Sequence, residues 1–312
     1  MKRMGNKVPS YLVACNIYIS TGHFNDSQWL LCLLKTAQNL CLGGDSRVLH
    51  AFSDVVYNRS SFHLAGSASS VAHVASSITC KALESRDQLF FIPSRTPHPY
   101  VGLIDHVSVM PLSTSDEQSC KAAGEVAKQV GSAMQSIGCH VLYYGYASPR
   151  HTSLAEVRKH ETNFFTTHSN SADSDFSCVG APHNFVENYN LRLRPKHGGD
   201  VKILARMLTK HVRERNGGLP GVEALTLQYG NSGCYEVACN ILHPHLSSCE
   251  ALHSRAIEWL SQNDPNSQVQ LEGYRVGTTP EACLTSLEVD VAIHDAMVTQ
   301  RLESYLMEPS HL

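Results

Sequence analysis

The sequence predicts an α+β fold built from two ferredoxin-like subdomains, each with the order β-α-β-β-α-β. Strand-like and helix-like segments follow this order in both halves of the chain, with extra elements in the first half. A polar, serine-rich stretch without apolar periodicity, residues 166–182, separates the halves. The length of 312 residues suits two domains of ordinary size. We therefore expect one subdomain over residues 8–182, a second over residues 183–312, and a ligand cleft between them.

The first half begins with an apolar run over residues 11–19, which is typical of a strand. Residues 27–40 carry leucines at helical spacing, and Gly43–Gly44 end that helix. The remaining predicted elements of this half are strands over 48–52 and 60–65, a helix over 68–83, a strand over 107–110, a helix opened by a Ser115–Gln118 capping box and running to 137, and a strand over 140–146.

The second half repeats this order around a clear hairpin. Residues 222–229 and 234–242 are strand-like and flank Gly-Asn-Ser-Gly, a strong turn sequence. The other predicted elements are a strand over 185–193, a helix over 201–215 ended by Gly217–Gly218, a helix opened by a Ser247–Glu250 capping box and running to 260, a strand over 269–276, and helical structure over 280–306 in two pieces.

Composition and charge exclude several classes of protein. The net charge of −3 and the pI of about 6.6 give no electrostatic reason to bind nucleic acid or an anionic membrane. No apolar stretch approaches the about 18 residues that a membrane span needs. The eleven cysteines include no Cys-x-x-Cys, and the eighteen histidines are scattered, so we expect neither disulfides nor a metal site. A reducing compartment, by default the cytoplasm, is the expected location.

A histidine in a proline-rich loop is the first candidate for chemistry. His98 precedes Pro99 and, after Gly102, a strand-like run. A loop imidazole at the start of a core strand is held in place yet reachable, and its ordinary pKa of about 6.5 suits proton transfer near neutral pH. We therefore predict acid–base chemistry at His98. A surface histidine without a role is the alternative that the residues leave open.

A second candidate is the loop that runs from Asp54 to Arg59. Arginine beside an asparagine, here Asn58, can hold a carboxylate in a fork of hydrogen bonds. A loop stabilised only by its own hydrogen bonds remains the alternative. Two later positions are weaker candidates. Gly145 would let a ligand approach the backbone closely, and Asn190 is a polar position in an otherwise ordinary strand.

These stretches resemble, in the same order, motifs of the formiminotransferase family. The His-Pro-Tyr-Val-Gly sequence that starts at His98 is similar to the family's His-Pro-x-x-Gly loop, and Asn58–Arg59 to its Asn-Arg pair. The strand end at Gly145 resembles the family's Tyr-Leu-Tyr-Gly-x-Ala sequence. Gly180–Ala181, followed by the strand that contains Asn190, resembles the start of the family's second subdomain. The likeness extends over about residues 11–285.

The resemblance implies a role for each matching residue. His98 takes the position of the family's catalytic histidine. It implies tetrahydrofolate as a substrate, an amino-acid-derived formimino donor, no metal, and a possible homodimer. The residues that it implies for binding substrate or folate are Asp54, Asn58, Arg59, Gly102, Gly145, Gly180 and Asn190.

The sequence also departs from the family's motifs. Tyr100 stands where an arginine usually follows His-Pro, and Thr96–Pro97 replaces the usual Gly-Glu. The folate-contacting loop is shortened to residues 171–180.

The first expectation from the resemblance is transfer of a formimino group from formiminoglutamate to tetrahydrofolate, with His98 as general acid and base. The alternatives are a non-catalytic folate-binding or interaction protein on the same scaffold, and a transferase that uses another amidine or formyl donor.

Overall fold

The computed structural model describes residues 11–89, 98–112, 116–162, 164, 176–264, 266 and 268–307. The described residues form an α+β structure with two sheets, one of six strands and one of four, which confirms the predicted class. The first sheet is mixed, because β4 and β5 both pair in parallel with β6 while its other pairs are antiparallel. The second sheet is antiparallel throughout.

The strands alternate with helices along most of the chain. The strand bounds are β1 Leu12–Ile19, β2 Ser46–Asp54, β3 Arg59–Ser67, β4 Ile104–Pro111, β5 His140–Gly145, β6 Phe176–Ala181, β7 Glu187–Pro195, β8 Val222–Tyr229, β9 Cys234–Ile241 and β10 Val269–Val276. The helix bounds are α1 Ser27–Cys41, α2 Ala68–Glu84, α3 Glu117–Ser136, α4 Leu154–Glu161, α5 Lys202–Val212, α6 Cys249–Asn263, α7 Pro280–Glu288 and α8 Val291–Met307. The sheet orders are β2-β3-β1-β4-β6-β5 and β10-β7-β9-β8.

Each sheet buries one face under helices and turns the other toward the opposite sheet. On β1, Cys15 and Ile17 join the core that packs against α1, α2 and α3. Leu191 and Leu193 of β7 join a second core with α5 and α6. Because side chains alternate along a strand, Tyr18, which follows Ile17, faces away from this core. The uncovered faces of both sheets therefore contribute to one shared space.

The C-terminal helices return to the first sheet. Val298, Leu302 and Leu306 of α8 are buried in the same core cluster as α1 and β2. Arg47 of β2 donates to the Ser286 carbonyl, 2.9 Å away, at the end of α7. The predicted boundary at 182/183 falls between β6 and β7, yet residues 280–307 pack on the first half of the chain.

The structure corrects several predicted elements. Asp116 rather than Ser115 caps α3, since its Oδ1 accepts the amides of Gln118 and Ser119. Ser248 rather than Ser247 caps α6. The sequence analysis missed β6 and α4, because a six-residue strand after a polar stretch and a helix of charged residues both lack strong apolar periodicity.

Candidate functional site

A cavity of about 670 Å³ lies between the two sheets. The first sheet contributes Tyr18, Arg59 and His106 to its lining, and the loop before β4 contributes His98. The second sheet supplies a wall with an apolar part from β8 and β9, which includes Leu225, and with polar residues that include Glu223. Apolar surface with a few polar groups is typical of a small-molecule site.

His98 is half-buried and its ring is held by the backbone next to it. His98 Nδ1 lies 2.7 Å from the carbonyl oxygen of Pro99. A carbonyl only accepts, so Nδ1 carries the proton and donates, and the imidazole lone pair is on Nε2. The ring also meets the edge of Tyr57, with centroids 5.5 Å apart. This arrangement fixes one tautomer of the histidine.

His98 is neutral at physiological pH. Burial lowers its pKa well below the ordinary range, and the charge of Arg59 lowers it further, against an opposing effect of Asp105. Arg59 Nη1 lies 3.3 Å from the ring nitrogen Nδ1. A neutral imidazole with its lone pair on Nε2 can accept a proton, and the resulting imidazolium gives it up readily.

Asp105 is the centre of the charged group on the first sheet. We call Asp105, Arg59, Arg158 and His106 the Asp105 cluster. Its carboxylate is fully buried and receives Arg59 Nη2 at 2.5 Å and Arg158 Nη2 at 2.6 Å on Oδ2. The amide of Val101 donates to Oδ1 at 2.9 Å. Burial alone would raise the pKa of Asp105, but Arg158 and Arg59 hold it well below its usual range.

The Asp105 cluster is also tied to the second sheet. His106 Nδ1 lies 3.0 Å from Asp105 Oδ2, and its ring stacks on Tyr18 with centroids 4.1 Å apart. The Tyr18 hydroxyl donates to Asn188 Oδ1 on β7 at 2.7 Å. Burial, then the charge of Arg158, lowers the pKa of His106 to about 3, so this ring is neutral as well.

A second buried carboxylate, Glu236 of β9, has a different set of partners. We call Glu236, Arg192, Tyr57, Tyr274 and Asn190 the Glu236 cluster. Arg192 Nε donates to Glu236 Oε1 at 2.6 Å, and the hydroxyls of Tyr57 and Tyr274 each donate to the carboxylate at 2.8 Å. Asn190 Nδ2 completes the set at 3.3 Å. Burial raises the pKa of both tyrosines, so their hydroxyls remain donors.

Tyr57 lies in the tight turn between β2 and β3, and its hydrogen bond to Glu236 links the two halves of the chain. Asp54 Oδ1 accepts the Tyr57 amide at 2.9 Å, and burial raises the pKa of Asp54 to about 6. Asn58 takes a positive φ of 48° and its Oδ1 accepts the Gly22 amide at 2.8 Å. Asp54 and Arg59 therefore line the cavity, while Asn58 shapes the turn that presents Arg59 and is not among the lining residues.

The three glycines expected at the ligand sit instead where backbones pack closely. A side chain at Gly102 would meet the Phe176 carbonyl oxygen, and one at Gly145 would meet that of Ala181. Gly180 packs against Tyr144 in the same way. Gly145 also has a positive φ of 57°. None of the three lines the cavity, whereas Asn190 does.

Sequence reasoning missed the charged centres of the site. Asp105 follows Gly102 in the stretch after His98, but nothing in the residues marks it as buried. Arg158 stands among charged residues, a composition that predicts solvent exposure, yet it is only 8% exposed. Glu236 and Arg192 alternate with apolar residues on their strands, a pattern that predicts solvent exposure when only one sheet is considered.

The described residues also bear on disulfides, metal binding and membrane spans. Each of the eleven cysteines is a free thiol. The described residues contain no group of three or more His, Cys, Asp or Glu placed to hold a metal ion. In the same ranges no helix is long and apolar enough to cross a membrane. Thr96–Pro97 and residues 171–175 of the loop 171–180 lie outside the described residues.

The family model of the formiminotransferase domain, N-terminal subdomain, matches residues 12–189. The chain belongs to this family. The matched part of the formiminotransferase domain holds His98 and the whole Asp105 cluster, whereas Glu236 lies beyond it. A curated relative, the formiminotransferase cyclodeaminase-like protein of Arabidopsis thaliana, is 28% identical over 226 residues, which are 63% of this chain and 72% of that protein.

Solved structures resemble this formiminotransferase domain only distantly. A putative monooxygenase from Lactobacillus acidophilus is 8% identical with a TM-score of 0.24, over 86% of this chain and 93% of that one. A putative M16-like peptidase from Alicyclobacillus acidocaldarius is 9% identical with a TM-score of 0.26, over 96% and 90% of the two chains. Likeness at this level supports no conclusion about fold or function.

Proposed function

We propose that the chain transfers the formimino group of formiminoglutamate to N5 of tetrahydrofolate, with His98 as general acid and base. Membership of the formiminotransferase family supports folate-related formimino transfer. The observation that carries the finer proposal is the state of His98. It is neutral, fixed in one tautomer by the Pro99 carbonyl, and part of the wall of a cavity that both sheets line.

The proposed step moves one proton between two nitrogens. N5 attacks the formimino carbon, a carbon–nitrogen bond forms, and a tetrahedral intermediate results. His98 Nε2 accepts the proton of N5 and returns it to the glutamate nitrogen as the second carbon–nitrogen bond breaks. The lowered pKa of His98 favours this return, because a desolvated imidazolium next to Arg59 is a strong acid. The products are 5-formiminotetrahydrofolate and glutamate.

The neighbours of His98 support this role by position. Arg59 is fixed through Asp105 and stands 3.3 Å from the ring. Asp54 offers a carboxyl group that a cationic amidine would attract, and its raised pKa of about 6 would fall when that cation binds. Holding both substrates in one cavity also removes much of the entropic barrier. Asn58 contributes by shaping the turn before Arg59.

The second sheet supports a folate ligand. Its wall of the cavity has an apolar part, with Val222, Leu225, Leu227 and Ala238. Such a surface suits flat aromatic groups such as the pterin and benzoyl rings. Asn190 is among the polar groups on this side. Two ferredoxin-like subdomains divided at 182/183, a cytoplasmic location and a homodimer belong to the proposal and stay predictions.

Tyr100 favours a second candidate function, a folate-binding or interaction protein without transferase activity. This half-buried tyrosine stands where the family's arginine is expected, and a phenol does not replace its charge. Loss of a cation near the substrate would weaken catalysis more than it weakens binding of the apolar rings. The transferase and a folate-binding protein both predict folate binding and differ in turnover, whereas an interaction protein need not bind folate.

Calorimetric titration with tetrahydrofolate, followed by a transfer assay, tests the proposal. Wild type should bind tetrahydrofolate with micromolar or better affinity. It should also transfer the formimino group about 10²–10⁴-fold faster than His98→Ala. His160→Ala, an exposed histidine on α4, is the matched control and should leave the rate unchanged. Binding without transfer would support the second candidate in its folate-binding form, and no binding by folded protein would leave only the interaction protein.

A further inference from the structure

The Asp105 cluster carries more positive charge than its carboxylate neutralises. The guanidinium groups of Arg59 and Arg158 share the single carboxylate of Asp105. His106 and the adjacent His98 are neutral, because burial followed by a neighbouring guanidinium charge lowers the pKa of each. Since both arginines line the cavity, this surplus charge is presented to whatever binds there.

Arg158 has one buried donor without a partner in the part of the chain that the structure describes. Its Nη2 donates to Asp105 and lies 3.0 Å from His106 Nδ1. Its Nε is buried and has no hydrogen-bond partner among the described residues. The ring of Phe164 covers the guanidinium carbon at 4.1 Å. A buried, desolvated guanidinium with an idle N–H is costly by itself, and an incoming anion would offset that cost.

A carboxyl group on the opposite wall limits what can bind. Glu223 of β8 lines the cavity and is half-buried. Burial raises its pKa, while the charges of Arg158 and Arg215 act in the opposite direction. Glu223 forms no ion pair within the described ranges. A ligand between the two walls is therefore favoured when its anionic group meets Arg158 and the group facing Glu223 is neutral or cationic.

We propose that Arg158 binds a carboxylate group of the cavity's ligand and is a specificity-determining residue of this site. The inference deepens the proposed transfer reaction and rests on it for the identity of the ligand. Tyr100 removes the cation expected after His-Pro, and Arg158 supplies one from α4 instead. A guanidinium held by Asp105 keeps its remaining N–H groups in a fixed plane, which suits a planar carboxylate.

Calorimetry with a dicarboxylate and its neutral analogue tests the proposal directly. We expect wild type to bind glutarate more tightly than glutaramide. Arg158→Lys, which keeps a positive charge beside Asp105, should weaken glutarate binding about tenfold through loss of the fork. Lys159→Gln is the matched control, because Lys159 lines the same cavity but is exposed, and its change should stay within about twofold.

Two results would overturn the inference. One is unchanged glutarate affinity in folded Arg158→Lys, and the other is an equal loss in Lys159→Gln. Glu223→Gln provides a second route if Arg158→Lys does not fold. Removing that facing carboxylate should tighten glutarate binding about threefold by the loss of like-charge repulsion, and an unchanged or weaker affinity would count against the proposal.

Folates and the donor both carry carboxylates, and two further ligands separate them. If the carboxylate belongs to folate, Arg158→Lys weakens tetrahydrofolate but not the primary amide of tetrahydropteroate, which has neither the glutamate nor a free carboxylate. If it belongs to the donor, the KM for formiminoglutamate rises and both folate affinities stay constant. An equal loss for both folates contradicts a carboxylate role. Arg158-dependent glutarate binding in a protein that binds no tetrahydrofolate would sustain this inference while the proposed function fails.

Discussion

Two buried carboxylates, one on each sheet, bind side chains that line the cavity, and the protein neutralises them differently. Asp105 is shared by two guanidinium groups, whereas Glu236 receives one guanidinium and three neutral donors. The first arrangement leaves a surplus positive charge beside His98, and the second is balanced. The difference shows that a buried carboxylate can belong to a group with net positive charge, as Asp105 does, or to a group without net charge that links the two sheets, as Glu236 does.

The Glu236 cluster links the two halves of the chain, because its members come from both of them. Tyr57 belongs to the turn between β2 and β3, and its hydroxyl reaches Glu236 on β9. The same ring contacts His98 edge-on. The Arg192 guanidinium lies over the Tyr229 ring at 3.7 Å, which gives that cation a second contact. This cluster therefore holds the walls of the cavity together without adding net charge to it.

Removing the charge of Asp105 should have the largest effect on stability. Asp105→Asn leaves two buried guanidiniums without a counter-charge, and we expect a loss of about 3–5 kcal/mol in the free energy of unfolding. Urea denaturation monitored by circular dichroism measures this loss. Asp87→Asn, at a side chain that is 96% exposed, is the matched control and should change stability by less than about 0.5 kcal/mol. Equal stability of the two variants would refute the ion-pair description.

The corresponding change at Glu236 should cost less. Glu236→Gln keeps oxygen and nitrogen atoms in place, so at least one tyrosine hydroxyl still finds an acceptor, and Arg192 retains its aromatic contact. We expect a loss of about 1–3 kcal/mol by the same denaturation measurement. Glu258→Gln on the exposed face of α6 serves as the control. A loss as large as that of Asp105→Asn would show that the two clusters do not differ in the way described.

The Asp105 cluster should contribute more than the Glu236 cluster to the loss of stability in acid, because only the Asp105 cluster contains a histidine. The folded-state pKa of His106 is lowered to about 3 from an unfolded value near 6.5. The folded protein thus binds fewer protons than the unfolded chain between those values, so this contribution to stability is complete above pH 6.5. It declines by about 1.4 kcal/mol per pH unit as the pH falls toward 3.

A histidine variant tests this acid dependence. His106→Asn keeps a donor near Asp105 and removes the titrating ring. The slope of unfolding free energy against pH, measured between pH 6 and 4, should become shallower by about 1 kcal/mol per unit. An unchanged slope would mean that His106 is not held neutral. Asp54 acts in the opposite sense, because its raised pKa of about 6 makes its own contribution more favourable as the pH falls toward 4.

The sequence predicted the elements of regular periodicity well and the site only in part. The hairpin of β8 and β9 and the strand β10 start and end within one residue of the predicted positions, because turn residues and alternation mark them. His98 and Arg59 were identified from a loop and a motif, and the structure brings them within 3.3 Å. Asp54 and Asn190 line the same cavity.

The rest depended on how the two sheets meet, which a single sequence does not contain. Glu236 is fully buried only because β9 faces the other half of the chain, so its strand pattern alone predicts exposure. Gly102, Gly145 and Gly180 were expected at the ligand, but close backbone approach explains each of them. A motif shows that a glycine is required without showing whether a ligand or a neighbouring strand requires it.

The most direct test of the account compares His98→Ala with Glu236→Gln in one formimino-transfer assay, each variant first shown to be folded. Because the proposed chemistry lies beside the Asp105 cluster, kcat/KM should fall about 10²–10⁴-fold in His98→Ala and less than tenfold in Glu236→Gln. Equal losses in the two variants, or a His98→Ala protein as active as wild type, would contradict the proposal.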